Sequence, residues 1–107
     1  MQRTIMVNEE NWRKFEEYIN EKNSKKSIVI NNLLYFFYNT SETYKKNFLN
    51  DNDDNSTHNK PVGLFIKNND LFNEAKKYGF TQVINILIYY FINADEDIKK
   101  TFLKKYI

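Results

Sequence analysis

The chain has 107 residues, 41% of them apolar and 17% aromatic, with a net charge of +2. That is the profile of one globular domain rather than a disordered chain. The absence of Cys and the single His exclude disulfides, thiolate metal sites and a His-based cluster or triad, and two Gly and one Pro argue against a turn-rich all-β fold.

Asn, Lys, Ile, Phe and Tyr make up 59 of the 107 residues, and all five have A- or T-rich codons. Part of the Lys and Asn content therefore follows the genome rather than function. Charge is uneven along the chain. Residues 1–49 and 62–107 each carry +2, and residues 50–61 between them carry −2. No secretory leader is expected from the N-terminal residues, and no apolar run approaches the roughly 20 residues that span a bilayer, so a cytoplasmic protein without a membrane partner is expected.

The chain opens with a β-branched run, 3–7, of strand length. Asn8 is a good N-cap, with Glu9 and Glu10 in the first helical turn. Val7 and Trp12 stand at hydrophobic-staple spacing. Trp12, Phe15 and Ile19 then recur at helical intervals, and Asn23 suits the left-handed position that ends a helix. Ser27 is expected to cap a second helix, 28–38, which is apolar on nearly every face and therefore buried. The aromatic clusters 35–38 and 89–91 are assigned to the core. A third, amphipathic helix is expected after Asn39 or Thr40, placing Tyr44, Phe48 and Leu49 inward.

Residues 50–60 contain no apolar side chain and read as a solvated linker. Asp51, Asp53 and Asn55 imitate the start of a calcium loop. Ser56 replaces the required Gly, and Val62 the bidentate Glu, so no metal is expected there.

After the linker the pattern returns. Residues 30–49 and 84–103 align without a gap at an offset of 54, with eleven of twenty positions identical. The pairs include Ile30/Ile84, Asn31/Asn85, Leu33/Leu87 and Phe48/Phe102. This reads as an internal duplication that forms a pseudo-symmetric pair packed face to face. The second copy has a strand-length run, 62–66, then a shorter helical segment with Leu71, Ala75 and Tyr78, then Gly79. Lys67 makes a poor cap for that segment. Thr81 is expected to cap a second apolar helix, 83–92, and Asn93 or Asp95 to start a third, with Ile98, Phe102 and Leu103 inward. Lys45, Lys46, Lys99, Lys100, Lys104 and Lys105 read as a solvated face. The domain plan is thus 1–49, the linker 50–60, and 61–107, both copies sharing one core.

Strand, helix, turn and wholly apolar second helix resemble the ribbon-helix-helix family of Arc and MetJ type. The resemblance spans about residues 2–38 and 61–92. It implies a mainly α fold with a short two-stranded antiparallel ribbon: a duplicated ribbon-helix-helix, each copy carrying an added C-terminal helix. Because both copies lie in one chain, the arrangement is similar to TraY-type accessory proteins of conjugative plasmids. Residues 2–7 would pair with 61–66.

The family places its ribbon in the DNA major groove and the second-helix starts against phosphates. Carried over, Gln2, Thr4, Met6, Gly63, Phe65 and Lys67 are the base-contact candidates, with Ile5, Val7, Leu64 and Ile66 inward. Met6 and Phe65 would meet thymine methyl groups. Arg3, Lys25, Lys26, Ser27, Lys76, Lys77 and Thr81 are the phosphate-contact candidates. The implied function is sequence-specific binding of double-stranded, AT-rich DNA, as a small repressor or a plasmid maintenance or transfer factor. Several copies would associate on adjacent sites. No cofactor, catalytic residue or small-molecule substrate is expected, since no nucleophile stands beside a His and no Gly-rich phosphate loop occurs. Two alternatives remain open. One is a protein-interaction module using Met6, Phe65 and the third helices. The other is a helical bundle without a ribbon.

Overall fold

The computed structural model describes residues 2–53 and 56–104. Strand β1 (Gln2–Val7) pairs antiparallel with β2 (Lys60–Phe65), from Gln2 opposite Phe65 to Val7 opposite Lys60. The ribbonless bundle is thereby set aside. Side chains alternate as a half-buried ribbon requires. Ile5, Val7 and Leu64 point inward, as does Ile66 one residue past β2, while Thr4, Met6, Gly63 and Phe65 face out. Pro61, which lacks an N–H, sits at the second position of a strand with a free edge, where that loss is tolerated. A lone two-stranded ribbon is marginal in water, so its inner face needs a helical layer.

Helices α1 (Glu9–Glu21) and α4 (Asn69–Lys76) follow the two strands. Asn8 Oδ1 accepts from Asn11 N at 2.8 Å and caps α1. Its counterpart at α4 is Asn68, whose Oδ1 accepts from Leu71 N at 3.0 Å, so Lys67 is not at the cap and lies in the turn before it. Trp12, Phe15 and Ile19 of α1 and Leu71 and Ala75 of α4 are buried. Asn23 adopts φ 57° and Gly79 φ 91°, each turning the chain between two helices.

Helices α2 (Lys26–Tyr38) and α5 (Phe80–Asn93) form the centre. Both begin earlier than the capping residues Ser27 and Thr81 suggest. The caps are Lys25 and Gly79, and neither uses a side chain. Lys25 O accepts from Ile28 N and Val29 N, which draws Lys26 and Ser27 into the first turn. Tyr35 and Tyr38 are exposed, so α2 is not buried on all sides, while Phe37 and Phe91 are fully buried.

The main packing contacts run between the halves. α1 lies on α5, α4 lies on α2, β1 meets α5 and β2 meets α2. Two buried carboxamides fasten this exchange. Asn31 Nδ2 donates to Phe65 O (2.7 Å) and to Ser27 O (2.7 Å), and Asn31 Oδ1 accepts from Lys67 N (2.7 Å). Asn85 Nδ2 donates to Met6 O (3.0 Å) and to Thr81 O (2.8 Å), and its Oδ1 accepts from Asn8 N (3.1 Å). Each Asn occupies the same place in its helix and grips the end of the other half's strand.

Helix α3 (Glu42–Asp51) is capped by Ser41, whose Oγ accepts from Tyr44 N, rather than by Asn39 or Thr40. Asn39 instead closes α2, and Thr40 Oγ1 donates to Phe37 O. α3 runs two residues into the expected linker, and β2 begins on its last residue. Helix α6 (Glu96–Thr101) starts after Asp95. Phe48 and Phe102 close the core below Phe36, at ring distances of 5.8 and 5.9 Å. Tyr44 and Ile98, expected inward, are exposed at its rim. Asn32 Nδ2 donates to Phe102 O and Lys104 O, tying the end of α6 to α2. Among the described residues no helix is long and apolar enough to cross a membrane.

Replacing Asn31 or Asn85 by Leu strands one backbone N–H and one C=O at a strand end. Each change is expected to lower unfolding stability by about 2–4 kcal/mol in urea titrations. Asn39→Leu and Asn93→Leu, whose amides bond only to exposed carbonyls within their own helices, are expected to change it by under ~1 kcal/mol.

Candidate nucleic-acid interface

The outer ribbon face is built from three cross-strand pairs: Gln2 with Phe65, Thr4 with Gly63, and Met6 with Pro61. Phe65 is 55% exposed and Met6 42%, high values for large apolar side chains. The carbonyls of these same two residues are held by Asn31 and Asn85, so the outward pair projects from a clamped backbone.

The α2 start lies beside one end of this face. Gln2, Gly63 and Phe65 line a groove of about 440 Å³ together with Lys25, Lys26 and Ser27. An adjoining cavity of about 290 Å³ brings Lys67 beside Lys25, Ser27 and Phe65. The ribbon and phosphate-contact candidates of this side therefore share one surface. Lys25 and Ser27 are exposed, and Lys26 Nζ reaches Glu16 Oε2 at 2.8 Å across a solvent-accessible pair. Such a pair contributes little and exchanges readily for another anion. The first turns of α2 and α5 contain no acidic residue, so the positive end of each helix dipole is uncompensated.

The α5 side differs. Thr81 is half-buried in the first turn, and its carbonyl accepts from Asn85. Lys76 and Lys77 are exposed at the end of α4 rather than in the first turn of α5. Lys77 Nζ is engaged by Glu74 Oε1 at 3.0 Å, and Lys76 Nζ lies 5.8 Å from the Phe72 ring. Arg3 falls on the helix side of the ribbon, in phase with Ile5 and Val7, with its guanidinium 4.3 Å from the Phe72 ring centre. The structure thus gathers Arg3 and Lys76 around Phe72 and away from the outer face.

The lysines of the third helices are not one solvated face. Lys45 is only 4% exposed. Its Nζ donates to Thr40 O at 2.6 Å and lies 3.1 Å from Glu74 Oε2, joining α3 to α4. A buried ammonium needs such partners. Lys99 stands over the Tyr18 ring at 4.8 Å, and Tyr18 Oη donates to Glu96 Oε1 at 2.7 Å. Burial, then the Glu96 carboxylate, pushes the Tyr18 phenol up to about 12. Lys105 and Asn55 lie outside the described residues. Among the described residues no group of three His, Cys, Asp or Glu could hold a metal ion.

Comparison with protein-family models, with curated proteins and with solved structures gives no match to this chain. Sequence reasoning overlooked the roles of Asn31 and Asn85, although the signal was present. An Asn recurs at one position of two otherwise apolar helices, where only a bonded polar group can be accommodated.

The Lys77 ammonium, and then Lys45, hold the Glu74 carboxyl below its ordinary value of 4.5. A depressed carboxyl pKa stabilises the fold above the unfolded value and loses that effect as pH falls through the folded one. The stability difference between the parent chain and Glu74→Gln is therefore expected to be full above pH 4.5 and to shrink below it, as measured by thermal unfolding across pH.

Proposed function

We propose that the chain is a sequence-specific binder of double-stranded DNA, built as a single-chain pseudo-dimer of ribbon-helix-helix type. In this reading β1 and β2 enter the major groove together, which is wide enough for a two-stranded ribbon. The α2 and α5 starts flank it and meet phosphates through free N–H groups and the helix dipole.

The observation that carries the reading is the groove in which Gln2, Gly63 and Phe65 of the ribbon adjoin Lys25, Lys26 and Ser27 of α2. A duplex lying on the outer face would place a phosphate strand within reach of those lysines. The two sides differ, with Lys25, Lys26 and Lys67 at one end and no basic residue in the first turn at the other. The preferred site is therefore non-palindromic. One unit makes a small interface, so copies on adjacent sites would raise affinity. A role as a small repressor or a plasmid maintenance or transfer factor fits such binding.

The exposed apolar pair Met6 and Phe65 favours a second reading, a protein-binding ribbon. Fluorescence anisotropy against a randomised AT-rich duplex pool, with recovery of the bound fraction at several salt concentrations, separates the two. The expected result is a steep loss of affinity with salt and enrichment of a short asymmetric motif. Lys25→Ala and Lys26→Ala should each weaken binding to all sequences and reduce the salt slope by about 1. Thr4→Ala should instead change the enriched motif. A folded chain that binds no duplex at low salt removes the DNA reading and favours the protein-binding ribbon.

A further inference from the structure

The outer ribbon face has a chemistry that discriminates among bases. Its six positions, Gln2, Thr4, Met6, Pro61, Gly63 and Phe65, carry no charge. Arg3, the one charged side chain at an inner position of β1, is turned to the helix side over Phe72. In the major groove guanine is read by paired donors from Arg or Lys, and cytosine by a carboxylate acceptor. These six positions offer neither, and Lys67, the basic residue among the base-contact candidates, lies past the end of β2 beside Phe65. The face offers the Gln2 amide, which suits adenine N6 and N7, and the apolar Met6 and Phe65, which suit the thymine methyl.

We infer that the ribbon selects A·T pairs through thymine methyl groups contacted by Met6 and Phe65 at two points about four base pairs apart. The inference rests on the DNA-binding reading above. The spacing follows from the register. Phe65 stands opposite Gln2, so the two apolar side chains are separated along the ribbon by the four steps from residue 2 to residue 6. At about 3.3 Å per residue this is about 13 Å, or close to four base-pair steps of about 3.4 Å.

Two further features serve that contact. Thr4 and Gly63 face each other midway between the apolar ends. Gly63 has no positive φ, and a Cβ placed there would meet only the flexible end of Gln2, at 3.4 Å. Neither backbone geometry nor packing demands glycine. Its missing side chain lowers the centre of the face, so both ends can reach the groove floor. The carbonyls clamped by Asn31 and Asn85 are those of Phe65 and Met6, which fixes the distance between the two contacts before any duplex arrives.

The test compares the duplex enriched from the randomised AT-rich pool with a copy carrying deoxyuridine for every thymine, by fluorescence anisotropy. Removing one buried methyl is worth about a fourfold loss of affinity, so two contacted methyls predict about a fifteenfold loss. In Phe65→Ser the deoxyuridine penalty should fall to about fourfold, and in Met6→Ser likewise. Both side chains are exposed, so folding should survive either change, as circular dichroism will show. Equal binding of the two duplexes overturns this inference and leaves DNA binding standing. An unchanged penalty in both variants also overturns it, because the loss then reflects duplex stiffness. Enrichment of a motif dominated by G·C pairs overturns it as well. No binding to any duplex at low salt overturns the underlying reading and this inference with it.

Discussion

A carboxamide buried in each central helix holds the end of a strand from the other half of the chain. Asn31 and Asn85 each satisfy one backbone N–H and one backbone C=O at a strand end, plus a carbonyl of their own helix. A two-stranded ribbon has few ladder bonds and free edges on both sides. Without such brackets its ends would fray into water. With them the ribbon is anchored at both ends to the most buried helices in the molecule, and its outer face becomes a fixed platform.

That anchoring determines where chemistry is available. The inner strand residues Ile5, Val7 and Leu64 are taken up by the core, and the exposed Arg3 lies over Phe72 on the helix side, so the outer face is uncharged while cations collect at its flank. In the proposed DNA-binding function, attraction to the polyanion would come from the basic flank and discrimination among bases from the ribbon residues beside it. The flank would supply long-range, salt-dependent attraction, and the ribbon short-range shape and apolar contact. Lys45 contributes to neither surface, because Glu74 and the Thr40 carbonyl hold its ammonium in the α3–α4 seam.

Much of this was legible in the sequence. The β-branched runs at 3–7 and 62–66, the Asn8 cap and the recurrence at an offset of 54 point to the elements and their order, and the resemblance to ribbon-helix-helix proteins implies the pairing of the strands that the structure has. Hydroxyl side chains misled at Ser27 and Thr81, because a helix can start on Lys25 or Gly79 when its first amides are left open to solvent. Lys45 was misread because lysine is nearly always solvated, and its burial depends on carbonyls and a carboxylate from three other segments. The groove beside α2 was not visible at all, since it is formed by residues far apart in the chain.

Helix α4 has 8 residues where α1 has 13, although each follows a strand and precedes a central apolar helix. Two identical subunits could not hold such a difference, because any change in one would be imposed on the other. Joining the halves through one connector removes that constraint and sets their ratio at one to one. The molecule therefore has a direction along its ribbon. A long helix stands on one flank and a short one on the other, so a ligand lying along the ribbon meets a different shape in each of its two orientations.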